Sequence, residues 1–221
     1  MEGFDIVSLG YNCYPGMYSD KKNGANLQFF SNIAVPSWAL VKMLENNFSA
    51  FNDKNDYVPM KIFSDSGIHF LTNKTYYARL AKGTIVNDDF LKKLNERKTA
   101  FIDILKSDKE VLFLRYEEPE KSDLPHFTGS RIVPNEYAED YKQNEIYHLK
   151  LLSTYLQKTY PGLKYHIMFV GNSLNSETKL DYDAESKIIT IPNANIGSNY
   201  EKVFDDIFAN NATFIKEKIG K

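Results

Sequence analysis

The chain has 221 residues, 43% hydrophobic and 25% charged, which suits one globular domain over 1–221 with a core large enough to need no staples. Lys and Arg total 27 against 29 Asp and Glu, a formal net charge of -2, so there is no global field to hold a polyanion and no nucleic-acid partner is expected. The single cysteine excludes an internal disulfide and a CxxC zinc or redox site.

No stretch approaches the roughly 18 to 20 consecutive apolar residues that a membrane helix needs, so no membrane insertion is expected. Met1-Glu2-Gly3-Phe4-Asp5 carries no basic region and runs straight into Ile6-Val7-Ser8-Leu9. That start does not read as a signal peptide, and a reducing, cytoplasmic compartment is expected.

Asp5 to Leu9 is a short apolar run with β-branched residues stopped by Gly10, the pattern of a buried strand ending in a turn. Residues 11–28, rich in Tyr, Pro, Gly and Asn, read as a loop. Pro36 and Ser37 precede Trp38, Val41, Leu44 and Phe48, whose spacing predicts a helix from about 36 to 48. Over 57–71 the alternation is weak and reads as two short strands or extended loops around Gly67.

From Asp88 the pattern sharpens: acids in a first turn, then Phe90, Leu91, Leu94, Phe101, Ile102 and Leu105 at helical spacing, predict a long helix over about 88–106. Glu110 to Tyr116 carries a four-residue apolar run, as in a strand covered on both faces. Residues 117–143 have loop composition. Ile146, Leu149, Leu152, Leu156 and Tyr160 make the next helix, closed by Pro161-Gly162, and Tyr165 to Gly171 is another strand. Asp181-Tyr182-Asp183 reads as a turn before Ile188-Ile191, and the apolar positions from Tyr200 to Ile219 supply a terminal amphipathic helix.

Strands alternating with helices argue for an α/β fold: a three-layer, largely parallel sheet, doubly wound and Rossmann-like, flanked by helices. Ligands in such folds sit past the carboxyl ends of the strands. The segments that follow the strands bring Gly10-Tyr11-Asn12-Cys13, Arg115-Tyr116-Glu117-Glu118, Gly171-Asn172-Ser173 and Pro192-Asn193-Ala194-Asn195 to that rim.

The chain has no GxxxxGK[ST], no GxGxxG after the first strand, no HExxH and no GxSxG. Cys13 is the sharpest single feature, because turn N–H groups and a nearby imidazole would both favour its thiolate. A free cysteine is equally at home as a small buried hydrophobe. His148 and His166 lie within a helix pattern and an apolar strand and read as structural, while His69 and His126 are the candidates for a base, with His69 preferred. Asn12, Asp65, Glu117 and Asn172 are each chemically able to orient that base. Asp181 and Asp183 form a DxD, able to hold a divalent ion and a sugar-nucleotide phosphate, though a plain turn accounts for it as well.

Ile6-Val7-Ser8-Leu9-Gly10-Tyr11-Asn12-Cys13, Phe29-Phe30 leading to Val35-Pro36-Ser37-Trp38, Leu44-Glu45-Asn46-Asn47-Phe48, Gly67-Ile68-His69-Phe70 and Val111-Leu112-Phe113-Leu114-Arg115 occur in this order. Together they resemble an uncharacterised family named for papain-like cysteine peptidases, over about residues 5–116. The resemblance implies Cys13 as nucleophile, His69 as base, and Asn12 and Arg115 as members of the site. Where that family carries an acid after the aromatic pair, this chain has Phe30-Ser31-Asn32.

The first functional expectation is a thiol-dependent hydrolase or acyl transferase: Cys13 attacks a carbonyl, His69 shuttles the proton, Asn12 stabilises the oxyanion, and Arg115, Asn172 and Glu117 contact the substrate. No cofactor or metal is expected for it. The alternatives are a glycan- or sugar-nucleotide-related domain, in which Arg115, Asn172 and the DxD bind while Cys13 is structural, and a non-catalytic interaction module.

Overall fold

The computed structural model describes residues 4–11, 13–23, 28–61, 69–118 and 143–219, with the side chains of 60, 61, 69 and 70 outside that description. Two sheets are formed. The first takes β1 (Asp5–Ser8), β6 (Glu110–Tyr116), β7 (Lys164–Asn172), β9 (Ile188–Ala194) and β8 (Asp181–Asp183) in the order β1-β6-β7-β9-β8. All neighbours are parallel except β8, which pairs antiparallel with β9 at the edge. The parallel strands advance in one direction across the sheet from β1.

The second sheet is antiparallel and takes β2 (Ile33–Ala34), β5 (Ala78–Leu80), β4 (His69–Asn73) and β3 (Tyr57–Lys61), in that order. It sits between β1 and β6 in the sequence. The weak alternation over 57–71 is therefore a β3–β4 pair, with Tyr57 opposite Asn73.

Helices cover both faces of the parallel sheet. Strand side chains alternate sides. Val7, Val111, Phe113, Ile167 and Phe169 face one core, shared with α3 (Asp88–Lys106), α4 (Glu145–Thr159), α2 (Ala39–Glu45) and the second sheet. Ile6, Leu112, Leu114, Met168, Val170 and Ile189 face the other, packed by α1 (Cys13–Asn23), α5 (Tyr200–Asn210) and α6 (Ala212–Ile219). This is the mixed α/β arrangement, mostly parallel and flanked by helices, that the alternation of strands and helices argues for.

Local sequence explains the helix starts. Asn87 caps α3 by accepting the Phe90 N–H at 2.8 Å, and Asn144 caps α4 by accepting the Tyr147 N–H at 2.9 Å. Four expectations differ from the fold. Asp181-Tyr182-Asp183, expected as a turn, is strand β8, and the turn comes after it over 184–187. Part of the loop expected over 11–28 is helix α1, where Pro15 and Gly16 depress local propensity and packing overrides it. Tyr18 packs its ring 4.9 Å from Phe204, and Gly16 lets α1 approach so closely that a Cβ there would stand 2.3 Å from the Ser31 Cα. The helix expected from about 36 to 48 is α2 followed by a 3-10 turn over Ser49–Asn52, after Asn47 and Phe48 turn left-handed. The terminal helix is two, broken at Asn211.

Candidate active site at the carboxyl rim

β1 ends in a tight reversal. Gly10 at φ 80 and Tyr11 at φ 75 both lie in the left-handed region, and Cys13 opens α1 two residues on. Glycine is suited to the first position; tyrosine in the second costs roughly 1–3 kcal/mol and persists only where its surroundings hold it. They do: the Tyr11 ring is buried, tilted against Tyr116 at 6.1 Å, with the Arg115 guanidinium 5.8 Å from its centre.

Arg115 is completely buried. Nη1 donates to the Leu9 carbonyl at 3.0 Å and the Val35 carbonyl at 2.8 Å, while Nε and Nη2 donate to the Glu145 carboxylate at 3.2 and 2.5 Å. Four of its five N–H donors are thus committed. Burial pushes the Glu145 carboxyl up and the Arg115 guanidinium pulls it down. Arg115 therefore ties together β1, the residue after β2 and α4 from beneath the rim, and, fully buried, it presents no surface to a ligand, contrary to its expected contact with substrate.

Glu117 and Asn172 meet at the ends of β6 and β7. The Asn172 N–H donates to the Glu117 carboxylate at 2.8 Å, and its side-chain amide donates to the Glu117 carbonyl at 3.1 Å and accepts from the Leu174 N–H at 3.0 Å. Asn193 continues this line from β9, donating to the Asn172 carbonyl at 2.6 Å and accepting the Thr178 N–H at 2.6 Å. The rim between β6, β7 and β9 is a knitted floor of amides.

Cys13 stands half-buried at the start of α1. Burial pushes its thiol up from the ordinary value, while its own backbone N–H and the Arg79 guanidinium of β5 pull it down. Arg79 reaches this corner because β5 pairs with β2, Ala34 opposite Arg79, and the β2 segment lies against Gly10. Tyr14, next to Cys13, stacks on Tyr200 of α5 at 5.7 Å.

His69 opens β4 with its backbone opposite Lys61, and its side chain lies outside the described residues. Asn12, Asp65 and His126 also lie outside them. His148 is buried at the α2–α4 contact, where its Nδ1 is 2.9 Å from the Ser37 hydroxyl. His166 faces the amino ends of the strands beside Tyr182.

The DxD is split from the rim. Asp183 pairs with Ile188, the first residue of β9, at the amino end of the parallel strands, whereas Asn172 stands at their carboxyl end. Its carboxylate is occupied by Lys150 at 2.7 Å and by the N–H groups of Glu185 and Ser186, the bonding of a turn. Among the described residues no group of three His, Cys, Asp or Glu is placed to hold a metal ion, and no helix is long and apolar enough to cross a membrane.

Glu145 and Arg79 belong to this neighbourhood without having stood out in the sequence, whereas Asn193 sits at the rim where its segment was expected. Glu145 had only the signal of an acid after a capping asparagine; an isolated arginine in a three-residue strand has none. No family model, no curated protein and no solved structure matches this chain.

Proposed function

We propose that the chain is a thiol-dependent hydrolase or acyl transferase with Cys13 as its nucleophile. The observation that carries this reading is the strand–turn–helix at the end of β1, where two consecutive left-handed residues deliver Cys13 to the carboxyl rim. Strained backbone held in place by its surroundings gathers at functional sites. A strand-to-helix turn of this kind is how a nucleophile is held out of a sheet with N–H groups beside it.

The raised thiol determines the order of events. A neutral Cys13 must lose its proton as it attacks, so a base has to take it in the same step. By the family resemblance that base is His69. Sγ bonds to the substrate carbonyl carbon, the imidazole takes the thiol proton and returns it to the departing alkoxide or amine, and water or another acceptor then cleaves the thioester. Asn12 and turn N–H groups would hold the oxyanion. Glu117 would line the substrate's approach, with buried Asn172 as a positioning residue that holds Glu117 and Arg115 as one that holds Leu9.

The finer reading of the fold and compartment belongs here too. Helices on both faces support a doubly wound, Rossmann-like sheet with its ligand at the carboxyl edge, although the strand order advances one way. A half-buried free thiol with this role suits a reducing, cytoplasmic setting.

The test is the pH dependence of Cys13 alkylation by iodoacetamide, followed by mass spectrometry, in the native chain and in His69→Ala, alongside hydrolysis of simple aryl esters and thioesters. Loss of the neutral-pH alkylation rate in His69→Ala, and loss of hydrolysis in Cys13→Ala, are expected. A profile that His69→Ala leaves unchanged overturns the pair.

A further inference from the structure

A cavity lies at the far end of α1 from Cys13. It has a volume of 640 Å³ and is walled by Phe4 and Ile6 at the start of β1, Phe208 of α5, and Ile215 and Ile219 of α6. That volume falls in the range of about 300–1,000 Å³ typical of small-molecule sites, which are mostly apolar with a few placed polar groups. Lys22, at the other end of α1 from Cys13, borders it; nine residues of helix separate the two by about 13 Å.

Among the described residues, three charged side chains line it: Lys22, Asp205 and Lys216. Asp205 is already satisfied, accepting the Tyr18 hydroxyl at 2.8 Å and pairing with Lys22 at 2.7 Å. Lys22 and Asp205 cancel. Lys216 has no ion-pair partner among the described residues, so the charges of those residues leave one positive charge uncompensated beside the apolar walls.

We propose that this cavity binds a singly charged carboxylate with an unbranched apolar tail, the tail against Phe4, Ala212 and Ile219, which keep accessible surface, and the carboxylate at Lys216. The apolar walls would favour the tail in proportion to the area it hides from water. Among the described residues Lys216 is the one lining cation without an acidic partner, which matches one negative charge, and the neutral Lys22–Asp205 pair adds no second site. This binding is independent of any chemistry at Cys13.

Calorimetric titration of the full chain with dodecanoate, below its micelle concentration, tests the inference, with dodecyltrimethylammonium as the head-group control. Saturable one-to-one binding of dodecanoate is expected, weakened about five-fold in Lys216→Gln and abolished in Ala212→Phe, which fills the cavity. The ammonium compound should bind about tenfold more weakly. Absence of saturable dodecanoate binding, equal affinity for both head groups, or binding unchanged in Lys216→Gln overturns the proposal. Lys216 is exposed, so that variant stays informative if Ala212→Phe fails to fold.

Discussion

The buried guanidinium of Arg115 donates to the Leu9 carbonyl at 3.0 Å across 106 residues of sequence. The bond fixes the last residue before the left-handed turn at Gly10 and Tyr11, and the same guanidinium is locked from the other side by Glu145. The turn that delivers Cys13 is thus held by a cation from a neighbouring strand and an acid from a later helix.

Breaking that lock should be costly. Arg115→Met would leave Glu145 without its partner and the Leu9 and Val35 carbonyls without their donor, and should lower stability to urea by about 3–5 kcal/mol. The double variant Arg115→Met with Glu145→Met should recover much of the loss, because no unpaired charge remains. Equal urea midpoints for the single and double variants would contradict this account.

Stability should fall in mild acid because of His166. Burial, aided by the nearby Lys187 charge, lowers its pKa to about 4 from an ordinary value of 6.5. Between these values the unfolded chain binds a proton that the folded chain does not, so stability is fully present above about 6.5 and is lost as the pH falls towards about 4. Because the ring is only partly buried, the loss should be about 1–2 kcal/mol after screening by solvent. His166→Phe should flatten the slope of unfolding free energy over this interval, measured by denaturant titration at several pH values.

Arg79 should be felt at the thiol. Its positive charge favours the Cys13 thiolate, against the larger effect of burial. Removing it in Arg79→Gln should push the thiol further up and slow alkylation by neutral iodoacetamide at pH 8, by about two- to five-fold for a partly screened charge. A faster reaction in the variant would mean that the side chain acts by blocking access rather than by its charge.

Two glycines should behave in opposite ways. A Cβ at Gly16 would lie 2.3 Å from the Ser31 Cα, backbone that cannot step aside, so Gly16→Ala should cost about 1–3 kcal/mol and move α1 with Cys13. A Cβ at Gly162 meets nothing within 4 Å, and Gly162→Ala should change stability by less than about 0.5 kcal/mol. Thermal unfolding of the two variants side by side reads the contrast.

The parallel core was legible in the amino-acid order because its signals are local. Val111 to Leu114 is an unbroken apolar run and is buried on both faces, and the spacing from Phe90 to Leu105 matches Asp88–Lys106 with acids in its first turn. The rim followed, since it is whatever comes after each such strand, and Cys13, Glu117 and Asn172 all lie there. Helix α1 was not legible: Pro15 and Gly16 argue against it locally, and only contacts with Phe204 and Ser31, far away or across a loop, make it the better state.

What sequence alone determined is therefore the alternation of strands and helices and the location of the one thiol at the end of the first strand. Tertiary structure alone decided that Arg115 is a buried brace bound to Glu145, that Asp183 is tied to a turn at the other end of the strands from Asn172, and that Arg79 of a second sheet lies close enough for its charge to favour the Cys13 thiolate. Periodicity reports how much of a side chain is hidden. It carries no record of which partner, scores of residues away, satisfies a buried charge, because that pairing depends on strand order and register rather than on neighbours in the chain.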